Sequence, residues 1–155
     1  MLMLTCLAVA AVAALLGRDD EPPTLRPQHS EPRPAPYTFV EVDLQDMPRP
    51  RVVARIIIEP AADDETAAAL ADAVRTVLRD HRQALVARVF GYGPGDNTND
   101  IATRGIAEGS RDGKGWTGDG HHGTSPFDSV RDDGRIIVVV GNPMSGYERE
   151  FRFNR

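Results

Sequence analysis

Hydrophobic and polar positions alternate along much of the chain, in a pattern that predicts β-strands on both sides of one long helix. In residues 37–44, Val40, Val42 and Leu44 alternate with aromatic or acidic neighbours, which is the two-residue period of a half-buried strand. Residues 51–59 are largely β-branched on both faces, and this composition predicts a central strand. Shorter patterns of the same kind predict further strands at 84–90, 101–110, 134–141 and 147–153.

A helical period replaces the strand pattern in residues 63–83. Apolar side chains recur there every three to four residues, so one face is predicted to pack on the sheet: Ala67, Leu70, Val74, Val77, Leu78 and His81. Asp63 or Asp64 is the predicted N-cap, since a carboxylate can accept hydrogen bonds from the first backbone N–H groups of a helix. The opposite face carries a row of arginines, namely Arg75, Arg79 and Arg82. Such a row is more typical of a solvated helix surface than of an anion site.

The order of these elements predicts the fold class. One long helix between runs of strands is typical of α+β domains. We expect a two-layer sandwich, in which a mostly antiparallel sheet of about five strands carries the helix on one face. A single domain over residues 37–155 accommodates these elements, because a chain of 155 residues has room for one core of ordinary size.

Two segments of different composition precede this domain. Residues 1–16 are almost entirely apolar and carry no charged side chain, which is typical of a signal peptide or an N-terminal membrane anchor. Residues 17–36 are rich in proline and in charge, and they predict a flexible, extended linker. Together the two segments predict an extracytoplasmic protein that is periplasmic, secreted or at the cell surface. Both cleavage of the leader and its retention as a membrane contact stay open.

Composition narrows the function classes further. With a formal net charge of −5, the chain lacks the broad basic surface that phosphate neutralisation needs, so no nucleic-acid binding is expected. Cys6 is the only cysteine, which excludes a disulfide within the chain. Lipidation of Cys6 is disfavoured too, because Thr5 stands where a small residue is expected directly before a lipidated cysteine.

Two glycine-rich loops hold most of the residues with binding potential. Residues 91–100 follow a predicted strand, and residues 112–122 contain the only tryptophan and the only lysine. Because both loops flank one strand-like segment, we expect them to meet at one end of the sheet and to form a ligand-binding surface there. The Asp112-Gly113 pair is typical of a two-residue hairpin turn, with the tryptophan packed across its base. The candidate ligand-binding residues are Tyr92, Asp96, Asp100, Lys114 and Trp116.

Asp119, His121 and His122 are the strongest candidates for a metal site, because adjacent imidazoles and a nearby carboxylate are ligands that zinc and similar ions accept. A further ligand from elsewhere, such as His81 or Asp96, is needed to complete such a site. Two exposed loop histidines explain the same residues more simply. A divalent metal ion therefore stays an alternative, and no other cofactor is expected.

The residues of these loops resemble a known sequence pattern. Val-Phe-Gly-Tyr-Gly-Pro-Gly-Asp occupies residues 89–96, and Asp-Gly-Lys-Gly-Trp-Thr-Gly-Asp occupies residues 112–119. Together with the helix that precedes these two motifs, they make residues 37–155 resemble a family of uncharacterised bacterial domains that often follow a signal or lipoprotein leader. That resemblance implies an exported domain and no catalytic residue, since the family has no known function. The chain departs from the pattern in its Gly-His-His-Gly loop and in the lack of basic residues ahead of the apolar leader.

The sequence therefore favours a non-enzymatic binding module of the cell envelope, whose partner is a protein, a glycan or a small ligand. The alternative is a metal-assisted hydrolase that uses Asp119, His121 and His122. Ser125 follows these histidines closely, but a catalytic triad is a spatial arrangement that proximity in sequence does not establish.

Overall fold

The computed structural model describes residues 32–116, 118, 135–142 and 145–154 of the chain. All of them belong to one compact unit, Glu31–Arg155. The predicted leader and most of the predicted linker lie outside the described residues. Within the described part, no helix combines the length and the apolar character that crossing a membrane requires.

Six strands and one helix make up the described part of the fold. In chain order they are β1 (Tyr37–Gln45), β2 (Arg51–Ile58), α1 (Asp63–Asp80), β3 (Val86–Tyr92), β4 (Gly105–Ser110), β5 (Arg135–Asn142) and β6 (Tyr147–Asn154). The strands form one sheet in the order β1-β2-β3-β4-β5-β6, so each strand pairs with its neighbours in sequence. Each of them overlaps a segment in which the side-chain pattern predicts a strand.

The observed sheet differs from the expected one in two respects. It has six strands rather than about five, because the C-terminal segment forms a full strand, β6, beside β5. It is also mixed, since β2 and β3 pair in parallel while the other four neighbouring pairs are antiparallel. The reason is topological: α1 leads the chain back to the starting end of β2 before β3 begins. The α+β class and the packing of one long helix against the sheet are confirmed.

The helix α1 begins where predicted, but its N-cap differs. Ala62, not Asp63 or Asp64, occupies the N-cap position and makes no side-chain hydrogen bond there. The Glu65 carboxylate accepts a hydrogen bond from the Ala62 backbone N–H at 3.3 Å. The acidic residues of the first turn therefore act on the helix dipole rather than as caps. At the other end the helix stops at Asp80, and His81, predicted on the apolar face, is the C-cap.

The core lies between α1 and one face of the sheet. The predicted apolar face of the helix is buried at Ala67, Leu70, Val74, Val77 and Leu78. It packs on alternate residues of the central strands, and these are also buried: Val52, Ala54, Ile56, Ile58, Ala87, Val89, Ala107, Val138 and Val140. Each fully buried aliphatic side chain contributes on the order of 1.5–3 kcal/mol. Most of the hydrophobic stabilisation therefore comes from this face.

Small residues let the helix approach the sheet closely. The strands carry Gly91 and Gly109 at positions that face α1. A Cβ atom on Gly109 would lie 2.6 Å from Cγ1 of Val74, well inside van der Waals contact. A Cβ atom on Gly91 would lie 2.9 Å from Cδ1 of Ile58 and 3.0 Å from Cδ2 of Leu70. The distance between helix and sheet therefore requires glycine at both positions.

β1 departs from the predicted alternation because of a β-bulge between Phe39 and Glu41. Phe39 packs against the core, whereas Val40 is 54% exposed and Val42 is exposed as well. The bulge shifts the register by one position, so the apolar residues of this strand do not all share the buried face. β1 is an edge strand of the sheet, and a bulge there also limits pairing with another chain.

The end of the predicted linker contacts the domain. Ala35 is buried, and its backbone N–H donates to the carbonyl oxygen of Glu65 at 3.1 Å. The Pro36 carbonyl oxygen accepts a hydrogen bond from the Glu59 N–H at 3.0 Å. Residues 35 and 36 are therefore fixed to the folded unit beside the first turn of α1.

Candidate binding face

The face of the sheet that is turned away from α1 carries charged and aromatic side chains. Because successive residues of a strand point to opposite faces, the residues that alternate with core positions in β2, β3 and β4 share this surface. We call it the outer face, and its main residues are Arg51, Arg55, Arg88, Phe90, Ile106 and Glu108. On it, Arg55 lies opposite Phe90, and Arg88 lies opposite Glu108.

An ion pair fixes the residues that follow β4 to the segment that precedes β2. Arg49 Nη1 and Nη2 donate to the two carboxylate oxygens of Asp112 at 2.7 and 2.8 Å, which is a bidentate geometry. Nη2 also donates to the Gly115 carbonyl oxygen at 2.7 Å, and Ser110 Oγ donates to Asp112 Oδ1 at 2.7 Å. Arg49 therefore holds the loop at residues 110–115 in one conformation.

These contacts act on the ionisation of Asp112. The guanidinium of Arg49 holds the pKa of the Asp112 carboxyl well below its ordinary value. Burial opposes this effect, while hydrogen bonds from Ser110 and from the Lys114 backbone N–H add to it. The same pair raises the pKa of Arg49. Both groups therefore stay charged at physiological pH.

Trp116 lies on the outer face beneath two guanidinium groups. The guanidinium carbon of Arg88 is 4.2 Å from the centroid of the indole ring, and that of Arg51 is 4.7 Å from it. Arg88 Nη2 also donates to Glu108 Oε2 at 2.6 Å, and Glu108 is only 4% exposed. Trp116 therefore links β2 and β3 through cation–π contacts.

A groove of about 320 Å³ opens on the outer face near the end of β3. Phe90 and Ile106 form its floor, Arg55 lines one side, and the loop at residues 98–102 lines the other. Ile101 on this loop is 69% exposed. The volume lies at the lower end of the roughly 300–1,000 Å³ that is typical of small-molecule pockets.

Tyr92 ends β3, and Asp96 and Asp100 belong to the connection between β3 and β4. Tyr92 and Asp96 have structural roles there. Tyr92 is 2% exposed, and its hydroxyl donates to the Asp100 carbonyl oxygen at 3.3 Å. Asp96 accepts hydrogen bonds from the Thr103 hydroxyl and from the Gly93 N–H, and these lower the pKa of its carboxyl. Tyr92 and Asp100 line the groove, whereas Asp96 closes a turn outside it.

The described part of the second glycine-rich loop, residues 112–116, lies at the opposite end of β3 and β4 from the first loop, so these residues do not meet the first loop at one end of the sheet as expected. β3 and β4 are antiparallel: Gly91 pairs with Gly105 beside the first loop, and Val86 pairs with Ser110 beside the second. The strands between the two loops span roughly 20 Å. The feature that the two loops do share is the outer face, since the groove and Trp116 both lie on it.

Lys114 belongs to the second loop and is exposed. The Asp112-Gly113 pair beside it is not the two-residue turn of a hairpin, because a longer connection separates β4 from its partner β5. Gly113 nevertheless has a φ of 68°, a conformation that glycine adopts without strain. The chain therefore bends at this pair but does not form the predicted hairpin turn there.

The predicted metal ligands Asp119, His121 and His122 lie outside the described residues. Among the residues that the structure does describe, no three His, Cys, Asp or Glu side chains come together in a way that could hold a metal ion. Of the two further ligands considered, His81 caps α1 and Asp96 is engaged in its own turn. The metal site stays a prediction.

No protein-family model, no curated protein and no solved structure matches the chain. The resemblance to uncharacterised bacterial domains accordingly stays a prediction. The geometry of the outer face is therefore the main structural guide to function.

The sequence-based candidates missed most of the residues that form this face. Phe90 and Ile106 on the groove floor and the arginines Arg51, Arg55 and Arg88 were not among them. A signal for the arginines was present in the sequence, because each lies within an otherwise apolar strand. A period of two places such charged residues on the face away from the core.

Proposed function

We propose that this protein is a non-enzymatic binding module of the cell envelope, and that its ligand occupies the groove on the outer face. The observation that supports the proposal is the groove itself, which has a volume of about 320 Å³ and an apolar floor of Phe90 and Ile106. The bound group is apolar, whether it belongs to a small ligand, to a protein or to a glycan.

Polar groups at the edge of the groove give the ligand an orientation. Thr98, Asn99 and Asp100 supply hydroxyl, amide and carboxylate groups on one side. On the other side Arg55 forms an ion pair with Glu41, so its positive charge is offset. An apolar floor with a few polar groups at the edge is the usual arrangement of small-ligand pockets.

A second groove, of about 260 Å³ between α1 and β6, is less suited to a ligand. Its apolar surface includes Phe151 and Phe153. The guanidinium of Arg75 lies 5.2 Å from the Phe153 ring centroid, and that of Arg149 lies 5.2 Å from the Phe151 centroid. Cations of the chain therefore already cover these two rings. In the described part of the protein, Phe90 has no such cover.

The proposed location outside the cytoplasm rests on the sequence. The apolar residues 1–16 have the composition of a signal peptide or anchor, and the proline-rich residues that follow have that of a tether. A domain held in this way would present its outer face to partners in the cell envelope.

Ligand-observed NMR on the full chain, with the uncharged probes benzyl alcohol, indole and cyclohexanol, tests the proposed groove. We expect at least one probe to bind at millimolar concentration. The Ile101→Glu variant should lose this binding, because a charged carboxylate then stands at the edge of an apolar groove. Val40→Glu is the matched control, since it places the same carboxylate at another exposed apolar position, on β1.

Equal binding of the probes by Ile101→Glu and Val40→Glu would contradict the proposal. Metal-dependent ester hydrolysis that disappears when His121 and His122 are both changed to alanine would instead favour the hydrolase.

A further inference from the structure

Four arginines lie on β2 and β3 at the outer face or directly beside these strands. Three of them form ion pairs: Arg49 with Asp112, Arg55 with Glu41, and Arg88 with Glu108. Arg51 is the fourth, and it has no ion pair with any residue that the structure describes. We call these four residues the arginine cluster.

The register of the strands explains why Arg51 differs from the other arginines of β2 and β3. Arg55 and Arg88 each lie opposite a glutamate on a neighbouring strand. The cross-strand neighbours of Arg51 are Gln45 on β1 and Val86 on β3, and neither carries a charge. Because cross-strand neighbours are the side chains within easiest reach, the positive charge of Arg51 is left without a partner.

The N–H groups of Arg51 also have no acceptor among the described residues. Its Nε is buried without a hydrogen-bond partner, as are the Nε atoms of Arg49 and Arg55, so Arg51 differs from these two in that its Nη groups have no acceptor either. The guanidinium carbons of Arg51 and Arg88 lie 4.7 and 4.2 Å from the same Trp116 centroid. The two cations are therefore no more than about 9 Å apart and repel each other. An anion placed beside Arg51 would accept hydrogen bonds from its Nη groups and offset the repulsion between the two cations.

We propose that Arg51, with Arg88 and Trp116 beside it, binds the carboxylate group of a ligand. A carboxylate presents two acceptor oxygens in the plane of the guanidinium group, the match that gives bidentate pairs. It also brings one negative charge, which equals the uncompensated charge of the arginine cluster. The indole ring bounds the site on one side and holds the guanidinium in place.

This carboxylate site is separate from the proposed groove. None of Arg51, Arg88 and Trp116 lines the groove, although all three lie on the same face of the sheet. The inference therefore goes beyond the proposed function, and each of the two can fail without the other.

Titration of the full chain with acetate, and with its neutral counterpart acetamide, tests the site at constant ionic strength. Trp116 is the only tryptophan, so intrinsic tryptophan fluorescence reports on this position alone. The Arg51 Nε–Hε signal in a ¹H–¹⁵N spectrum reports on the surroundings of the guanidinium group. We expect acetate to shift both signals in a saturable way at millimolar concentration, and acetamide to shift neither.

Two variants that each remove one positive charge show whether acetate binds at Arg51. Arg51→Gln removes the unpaired guanidinium and should weaken acetate binding at least about tenfold. Arg82→Gln removes an exposed arginine just after α1 and should leave acetate binding unchanged.

The proposal is overturned if Arg51→Gln binds acetate as the wild type does, or if acetamide produces the same shifts. It is also overturned if acetate causes no saturable shift of the Arg51 Nε–Hε signal in the wild type, a result that needs no variant to fold. Inorganic phosphate that binds more tightly than acetate would overturn the assignment to a carboxylate. Acetate binding that persists in Ile101→Glu, after the neutral probes have lost theirs, would support this site independently of the groove.

Discussion

The two faces of the sheet differ in what they contact and in what they can bind. Toward α1, the central strands present valine, isoleucine, alanine and glycine, and these residues are buried. On the outer face the same strands present arginine, glutamate and phenylalanine around a groove and a tryptophan. A period of two residues thus places most of the buried core on one face and the proposed binding surface on the other.

The two faces of the sheet differ in the space that is open to a ligand and in the pairing of their charges. At the centre of the helix side, a single added carbon at Gly109 would meet Val74 at 2.6 Å, so there is no room for a ligand at this point. The outer face leaves a groove open and the guanidinium of Arg51 without an ion pair among the described residues. Substitutions of buried residues on the helix side should therefore change stability and not binding, whereas substitutions of exposed residues at the groove, such as Ile101, should do the reverse.

The largest effect is expected from Leu70→Ala, at the centre of the helix face. Leu70 is fully buried, and the substitution removes its contacts and leaves a cavity. We expect the free energy of unfolding to fall by about 2–5 kcal/mol, measured by chemical denaturation. Val40→Ala removes apolar atoms from an exposed position and serves as the control, with an expected change below about 0.5 kcal/mol. Equal losses in the two variants would contradict the assignment of stability to the helix face.

Asp112→Asn tests the one ion pair of the outer face that we expect to stabilise the fold. The variant loses the charge-assisted hydrogen bonds to Arg49 and should be less stable by about 1.5–3 kcal/mol at pH 7. Because the pKa of Asp112 is lowered in the folded protein, its stabilisation is complete above the unfolded pKa of about 3.9. That stabilisation is lost as the pH falls toward the folded pKa.

The difference in the free energy of unfolding between wild type and Asp112→Asn should therefore be constant above about pH 5 and shrink below about pH 4. Denaturation at a series of pH values measures it, with the exposed Asp46→Asn as the control. A difference in the free energy of unfolding that grows as the pH falls would contradict the ion pair between Arg49 and Asp112.

Gly109→Ala sharpens the claim that the helix face is closely packed. The added methyl group must displace Val74 or Val138, which lie 2.6 and 3.0 Å from it, and this should cost about 1–3 kcal/mol of stability. In a Val74→Ala background the same substitution should cost less, because the colliding methyl group is gone. Equal costs in both backgrounds, measured by chemical denaturation, would place the strain elsewhere.

The smallest effect on stability is expected from Ile101→Glu, the variant that should abolish binding in the groove. Ile101 is exposed on a loop, so its replacement should change the free energy of unfolding by less than about 0.5 kcal/mol. Thermal and chemical denaturation beside the probe titration measure both quantities. A large loss of stability would mean that the loss of binding reports unfolding rather than the groove.

The strands, the helix and the fold class could be predicted from the sequence because each depends on a local period. The helix periodicity gave the buried positions Leu70, Val74 and Leu78 correctly. The parallel pairing of β2 and β3 could have been inferred as well, since a helix between two adjacent strands returns the chain to the starting end. The bulge in β1 could not, because nothing in the alternation itself marks the extra residue between Phe39 and Glu41.

The candidate site was less accessible to sequence reasoning. Trp116 was one of the sequence-based candidates, but its contacts with Arg51 and Arg88 join residues that are distant in the chain. Strand register brings them together, and spacing along the sequence does not show register. The described residues 112–116 of the second glycine-rich loop are close in sequence to the first loop, yet they lie at the other end of β3, because β4 carries the chain there.

Methyl NMR of the isoleucines compares the two faces most directly. The chain has seven isoleucines: Ile101 and Ile106 line the groove, whereas Ile56 and Ile58 lie in the core beneath α1. On titration of the ¹³C-methyl-labelled full chain with benzyl alcohol, we expect the methyl signals of Ile101 and Ile106 to shift in a saturable way while those of Ile56 and Ile58 stay in place. Saturable shifts at Ile56 and Ile58, with none at Ile101 and Ile106, would contradict the assignment of binding to the outer face.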